Sequence, residues 1–120
     1  MTCLDASVVL ALLNPDDAHH ESVRRGVANL ARPLLIHELT LAECLVRAVR
    51  AGRDRQVLDV LLDLCSVVGS PGGQGAHRLA RLRATVGLAL PDCCALDAAI
   101  EHGDALATFD VRLARAAAHE

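Results

Sequence analysis

The sequence predicts a parallel α/β fold, a short sheet covered by helices on both faces. Brief apolar runs of strand length alternate with longer stretches of helical period along the whole chain. No hairpin signal joins two strand runs. Parallel strands need long crossovers, so alternation without hairpins points to βα units and a sheet buried on both sides. No repeat or break in composition divides the chain, and its 120 residues are read as one domain, residues 1–120. A chain of this length buries about two-thirds of its unfolded surface, enough for a core without disulfides.

The elements follow in order. Residues 2–4 form a strand ending at Asp5, and Ser7 is placed as the cap of a helix over 8–13. Asn14-Pro15-Asp16-Asp17 breaks that helix. Residues 19–31 form a second helix with Val23, Val27 and Leu30 on one stripe, ended by Arg32-Pro33. A strand over 34–36 leads to a helix over 37–50, with Leu41, Leu45 and Val49 toward the core and Gly52 as its stop. Residues 54–65 form a helix whose apolar residues cover more than one face. A short strand follows over 66–68, then a Gly-rich flexible loop over 70–75. The helix over 76–86 turns Leu79, Leu82 and Val86 inward and Arg78, Arg81 and Arg83 outward.

The stretch from 90 to 112 organises the rest. Pro91 sets a turn, Asp92 stands at a helix start where free amides favour a carboxylate, and Gly103 is placed as a left-handed helix end. A strand over 105–109 carries Asp110 at its carboxyl end, and a last helix runs over 111–118.

Composition narrows the function. Phe109 is the only aromatic residue, which excludes sequence-specific RNA binding by aromatic stacking. The basic residues are all Arg, and the net charge of −3 argues against a general nucleic-acid coat protein. It does not exclude a nuclease with its acids gathered at one site. The odd set Cys3, Cys44, Cys65, Cys93 and Cys94 contains no CxxC pair and suits a reducing cytoplasm. No leader is read at the start, and no apolar run reaches the roughly 18 residues of a membrane span.

Ligands of open α/β sheets sit beyond the carboxyl ends of the strands. Asp5 and Asp110 occupy such ends, and they meet at one rim if the first and fourth strands are neighbours. Asp92 and Glu43 can join them there. Two carboxylates about 4 Å apart repel by roughly 4 kcal/mol at an effective dielectric near 20. Such a group needs a cation, and oxygen-only donors select Mg²⁺, or Mn²⁺, over zinc. A metal so held can polarise a phosphate and acidify its bound water, the chemistry of phosphodiester hydrolysis.

The sequence resembles PIN domains of the VapC toxin type. The likeness rests on Leu4-Asp5-Ala6-Ser7, on Leu39-Thr40-Leu41-Ala42-Glu43, on Leu90-Pro91-Asp92 and on Thr108-Phe109-Asp110, in that order across essentially the whole chain. Each motif alone is weak, and the four in register are strong. The resemblance implies a three-layer α/β/α sandwich with a short parallel sheet and a Mg²⁺-dependent endoribonuclease acting as the toxin of a toxin–antitoxin pair. Carried over, Asp5, Glu43, Asp92 and Asp110 form the acidic site, with Asp5 and Asp92 as direct metal ligands. Ser7 and Thr108 would hydrogen-bond the acids or metal-bound water. It also implies a VapB-like antitoxin partner. Arg112, beside the site, is the expected contact for substrate phosphate. Asp97 departs from the pattern, falling where a neutral residue is usual.

Other readings stand beside these. Each acid singly could be a solvated strand end or a helix cap, and Asp97 a paired polar-face acid. Cys44 and Cys93 should point into the core as small apolar residues. The histidines, at 19, 20, 37, 77, 102 and 119, are scattered and read as surface or cap residues. Arg47, Arg50, Arg53 and Arg55 are either a solvated helix end or RNA-phosphate contacts. The apolar excess of the second to fourth helices suits a homodimer or antitoxin groove. A PIN-like fold kept only for protein binding is the alternative function. A phospho-acceptor receiver domain ranks last, because it needs a Lys near its pocket and this chain has none.

Overall fold

The computed structural model describes residues 1–69, 72–103 and 105–118. Its elements run β1 (Thr2–Leu4), α1 (Ala6–Leu13), α2 (His20–Ala28), β2 (Leu34–His37), α3 (Glu38–Arg50), α4 (Asp54–Leu64), β3 (Cys65–Val68), α5 (Gly73–Val86), α6 (Leu90–His102), β4 (Ala105–Ala107) and α7 (Val111–Ala118). The four strands form one sheet in the order β3-β2-β1-β4. Every pairing is parallel, with Cys3 beside Leu35 and Leu106, and Leu35 beside Ser66. The expected parallel sheet is therefore present, and β1 and β4 are neighbours.

Strand alternation explains the layers. Leu4, Leu34 and Ile36 turn to one face and pack with Val8, Val9, Val23, Val27, Leu41, Cys44 and Leu61 from α1 to α4. Cys3 and Leu35 turn to the other face and meet Ala98 of α6. Beyond them α5, α6 and α7 join through Leu88, Cys93, Leu96 and Leu113, with Leu79, Leu82 and Val86 packed alongside. The result is the α/β/α sandwich. Full burial of each such leucine or isoleucine is worth about 1.5–3 kcal/mol, so the two interfaces with the sheet dominate the stability.

α6 is the central crossover helix. All residues from Cys93 to Ala98 are buried, because the helix lies between the sheet, α3, α5 and α7. Its small side chains permit that approach. Cys44 and Cys93 are indeed inward, and all five cysteines are free and buried.

Several local expectations differ. Ser7 lies inside α1, and the N-cap position belongs to Asp5. Pro91 sits in the first turn of α6, where a missing N–H costs nothing. Gly103 has φ −111°, an ordinary extended conformation, so it is not a left-handed cap; Gly87, with φ 76°, provides one at the end of α5. Val49 faces outward at 58 % exposure, while Thr40 and Cys44 take the inward positions of α3. α5 begins at Gly73, so residues 73–75 are helical and not loop. Cys65 starts β3 and does not end α4, and β4 stops at Ala107. Ser70 and Pro71 of the expected loop, and His119, lie outside the described residues.

His37 caps α3. Its Nδ1 accepts the Leu39 N–H at 3.0 Å, so the ring is neutral with that nitrogen unprotonated. Burial pushes the His37 pKa down; Asp97 and Glu38 oppose the shift, and His102 adds to it. A depressed histidine weakens the fold as the pH falls from its ordinary range near 6.5 through the folded value, because unfolding then takes up a proton. Between pH 8 and 5 the melting temperature of His37→Asn, which caps without titrating, is expected to fall less than that of the wild type. The difference should be on the order of 1 kcal/mol, the usual worth of an N-cap. Parallel pH curves for the two proteins would remove this role from His37.

Candidate active site

The site lies at the carboxyl ends of the two adjacent strands β1 and β4. Asp5 follows β1 directly, its N–H donating to the Ala107 carbonyl of β4 at 3.0 Å. This backbone bond brings the ends of the two strands together, although Asp5 and Asp110 are far apart in sequence. Asp5 is only 5 % exposed. Its backbone carbonyl accepts the first N–H groups of α1, from Val8 and Val9. Its carboxylate accepts no capping N–H from the helix backbone and turns to two hydroxyls instead. Thr108 Oγ1 donates to Asp5 Oδ2 at 2.7 Å, and Ser7 Oγ donates to the same oxygen at 3.0 Å. Among the described residues Oδ1 receives no hydrogen bond.

The same hydroxyls fix the β4–α7 turn. Ser7 Oγ accepts the Phe109 N–H at 3.0 Å, and Thr108 Oγ1 accepts the Asp110 N–H at 3.0 Å. Asp110 Oδ1 in turn accepts the N–H groups of Arg112 and Leu113, capping α7. Asp110 is thus a helix cap and a member of the rim at once. A carboxylate oxygen has more than one lone pair, so capping does not exhaust it.

Asp92 stands in the first turn of α6, half-buried. Burial pushes its pKa up, the charges of Asp5 and Asp110 push it further, and Arg112 pulls it back. Glu43 lies in the second turn of α3. Burial raises its pKa as well, followed by the charges of Asp5 and then Asp92. Asp92 thus feels the charges of Asp5 and Asp110, and Glu43 feels those of Asp5 and Asp92. Among the described residues, no three His, Cys, Asp or Glu side chains are drawn tightly enough together to form a ready-made metal cage. The donor chemistry nevertheless fits a hard cation: the rim offers carboxylate oxygens, Glu43 and Asp92 hold their protons more tightly through burial and then through their neighbours' charge, and Asp5 keeps an oxygen open.

Arg112 is exposed beside the rim and donates from its guanidinium to the Gly87 carbonyl at 3.3 Å. Arg83 donates to the next carbonyl, Leu88, at 2.6 Å. Together they hold the α5–α6 connection that leads into Asp92.

Asp97 belongs to a different neighbourhood. It is 3 % exposed on α6, and Arg78 of α5 donates to it through Nε at 3.0 Å and a terminal nitrogen at 3.4 Å. Arg78 also pairs with Glu101 at 3.0 Å. The paired-acid reading of Asp97 holds, and the outward reading of Arg78 does not. An acid inside the otherwise apolar run from Cys93 to Ala98 was the signal that a basic partner must reach it. Nothing in the sequence marked His19, whose ring stacks on Phe109 with centroids 4.9 Å apart and planes 25° from parallel.

Fold and site together define the class: a parallel α/β/α domain with an acidic rim at the carboxyl ends of its central strands. The PIN domain family model matches residues 2–119, and the chain belongs to the PIN domain family. Among solved structures it is similar to VapC20 of Mycobacterium tuberculosis, a toxin that cleaves the sarcin–ricin loop. That likeness has TM-score 0.80 and 17 % identity, covering 97 % of this chain and 95 % of the other. It is also similar to PAE2754 of Pyrobaculum aerophilum, with TM-score 0.63 and 24 % identity, covering 96 % of this chain and 83 % of the other. At these identities the likeness is one of fold. No curated protein matches the chain in sequence.

Proposed function

We propose that this chain is a VapC-type toxin, an endoribonuclease that hydrolyses RNA phosphodiesters with a divalent cation, Mg²⁺ or Mn²⁺, at its acidic rim. The observation that carries the reading is the β1–β4 junction of a PIN-family sheet, where the Asp5 N–H meets the Ala107 carbonyl and the Thr108 hydroxyl holds the Asp5 carboxylate, with Glu43 and Asp92 close enough to feel the Asp5 charge. Asp5 and Asp92 would hold the cation directly, and Glu43 and Asp110 would complete its surroundings. When bound, the metal polarises the phosphate and lowers the pKa of its water. The chain itself supplies orientation. Thr108 and Ser7 hold Asp5 from one side, Asp110 locks the turn that carries Thr108, and Arg112 offers a cation for substrate phosphate.

Incubation with total RNA and Mg²⁺ followed by end-mapping tests this directly. Discrete cuts abolished by EDTA are expected; cleavage that persists in EDTA would overturn the proposal. Binding of the cation has its own signature. Carboxyls with raised pKa lose stability as the pH rises through their ordinary range and through the folded value, because burial disfavours their ionised form and ionised neighbours repel it. A cation offsets that repulsion. Millimolar Mg²⁺ or Mn²⁺ at pH 7.5 is therefore expected to raise the melting temperature by a few degrees, a gain of about 1 kcal/mol for a site of millimolar affinity. At pH 4, near the ordinary carboxyl range, the raised carboxyls are more protonated and the gain should shrink. An equal shift at both pH values, or none, would count against a rim-bound cation and favour a PIN fold kept for protein binding.

The helices α3 and α4 offer the partner surface. Val46, Val49, Val60 and Leu62 are exposed there. A groove of about 530 Å³ runs between the end of α1 and these helices, lined by Leu10, Leu13, Val57 and Val60 together with Arg47, Arg53 and Asp16. An apolar groove that carries these arginines suits an amphipathic acidic segment of a VapB-like antitoxin, or a second copy of the chain. No helix among the described residues is long and apolar enough to cross a membrane.

A further inference from the structure

We infer that the stacked pair His19–Phe109 is a shelf for one nucleobase of the RNA, next to the phosphate that is cut. The inference rests on the nuclease reading above and adds a recognition element to it. Phe109 is 45 % exposed although it is the chain's sole aromatic residue, and a ring left open to water forfeits burial it could have had in the core. Its position is fixed from the site side. The Phe109 N–H donates to Ser7 Oγ at 3.0 Å, and that hydroxyl donates to Asp5 at 3.0 Å. The backbone of Phe109 is thus two hydrogen bonds from the rim carboxylate, and its chain neighbours are Thr108 and Asp110.

His19 lies on the connection between α1 and α2. Its backbone N–H donates to Asp17 Oδ1 at 2.8 Å, and its backbone carbonyl accepts the Ser22 hydroxyl at 3.0 Å, so the residue is held on both sides. Its ring lies on Phe109, 4.9 Å between centroids. One face of each ring is used by the other, and both residues are exposed. A base can therefore extend the stack. Composition excluded sequence-specific RNA binding by aromatic stacking, but a single-base shelf reads no sequence and needs only one further plane, and the imidazole provides it. With Arg112 on the phosphate, the shelf would grip the nucleoside beside it.

The test uses the full chain and short single-stranded oligoribonucleotides spanning a mapped cut, each carrying 2-aminopurine at one position. Rapid mixing reads fluorescence before cleavage, with Mg²⁺ and in EDTA. Stacking should quench the probe at one position flanking the cut and not elsewhere. Phe109→Leu, which keeps an apolar side chain at an exposed position, is expected to lose that quench and to bind about tenfold more weakly, within the range found when base–aromatic stacks are removed. Phe109→Tyr should restore both. His19→Ala, at another exposed position, should lose part of the quench and serves if Phe109→Leu disturbs folding. Wild type that cleaves RNA but shows no position-specific quench overturns the shelf alone, as do His19→Ala and Phe109→Leu proteins indistinguishable from wild type. Wild type that neither binds nor cleaves RNA overturns the shelf together with the nuclease reading.

Discussion

Asp5→Asn is expected to lower RNA cleavage by at least about a hundredfold while the protein stays folded. Even the outer-sphere partners of a metal ligand are worth 10- to 100-fold, so a direct ligand should exceed that. The substitution is nearly isosteric. An asparagine carbonyl can still accept from Thr108 and Ser7, the two hydroxyls that fix Asp5 Oδ2. The side chain keeps its place and loses its charge. That loss should also relax the rim, since Asp5 is the first charge to raise both Glu43 and Asp92. Without metal, the variant should melt at or above the wild-type temperature near neutral pH; with Mg²⁺ its gain should shrink. Cleavage at the wild-type rate would remove Asp5 from the site. A large drop in melting temperature would instead assign Asp5 to folding.

Arg78→Ala is expected to destabilise the fold, read as a lower urea midpoint at unchanged slope. The Asp97 side chain is 4 % exposed and would be left without its guanidinium partner, and an uncompensated buried charge is costly. The Arg78 side chain, 30 % exposed, is partly solvated, which tempers the loss. Removing both charges should do less harm than removing one. Arg78→Met combined with Asp97→Leu is expected to recover most of the loss, because an apolar pair of similar volume avoids desolvating ions. If Arg78→Ala melts like wild type, the pair does not hold α5 on α6. RNA cleavage, if the nuclease reading holds, should survive in the double variant, since Asp97 lies outside the rim.

Much of the fold was legible because its signals are local. Alternating strand and helix lengths gave the parallel class, and the apolar stripes of α2 and α5 gave their inward faces. The acids could be placed at strand ends and helix starts because those positions follow from the order of elements. Cap chemistry was harder. Ser7 and Asp5 are both good cap residues two positions apart, and the choice went to Asp5 because its backbone closes on Ala107 of β4, a contact the sequence cannot display. Val49 has the right spacing for the core but falls on an exposed side of α3, so periodicity alone misplaced it. Arg78 looked like one of three outward arginines; only the buried Asp97, nineteen residues away, separates it from the others.

By itself the sequence determined which elements form and which chemistry they carry, since propensity, spacing and turn residues act within a few positions. The packed layers decided what meets what. They put β4 beside β1, aimed two hydroxyls at one oxygen of Asp5, drew Arg78 down onto Asp97 and laid His19 on Phe109. Such meetings depend on how whole sheets and helices stack, because side chains distant along the chain are brought together only by the shape of the core between them.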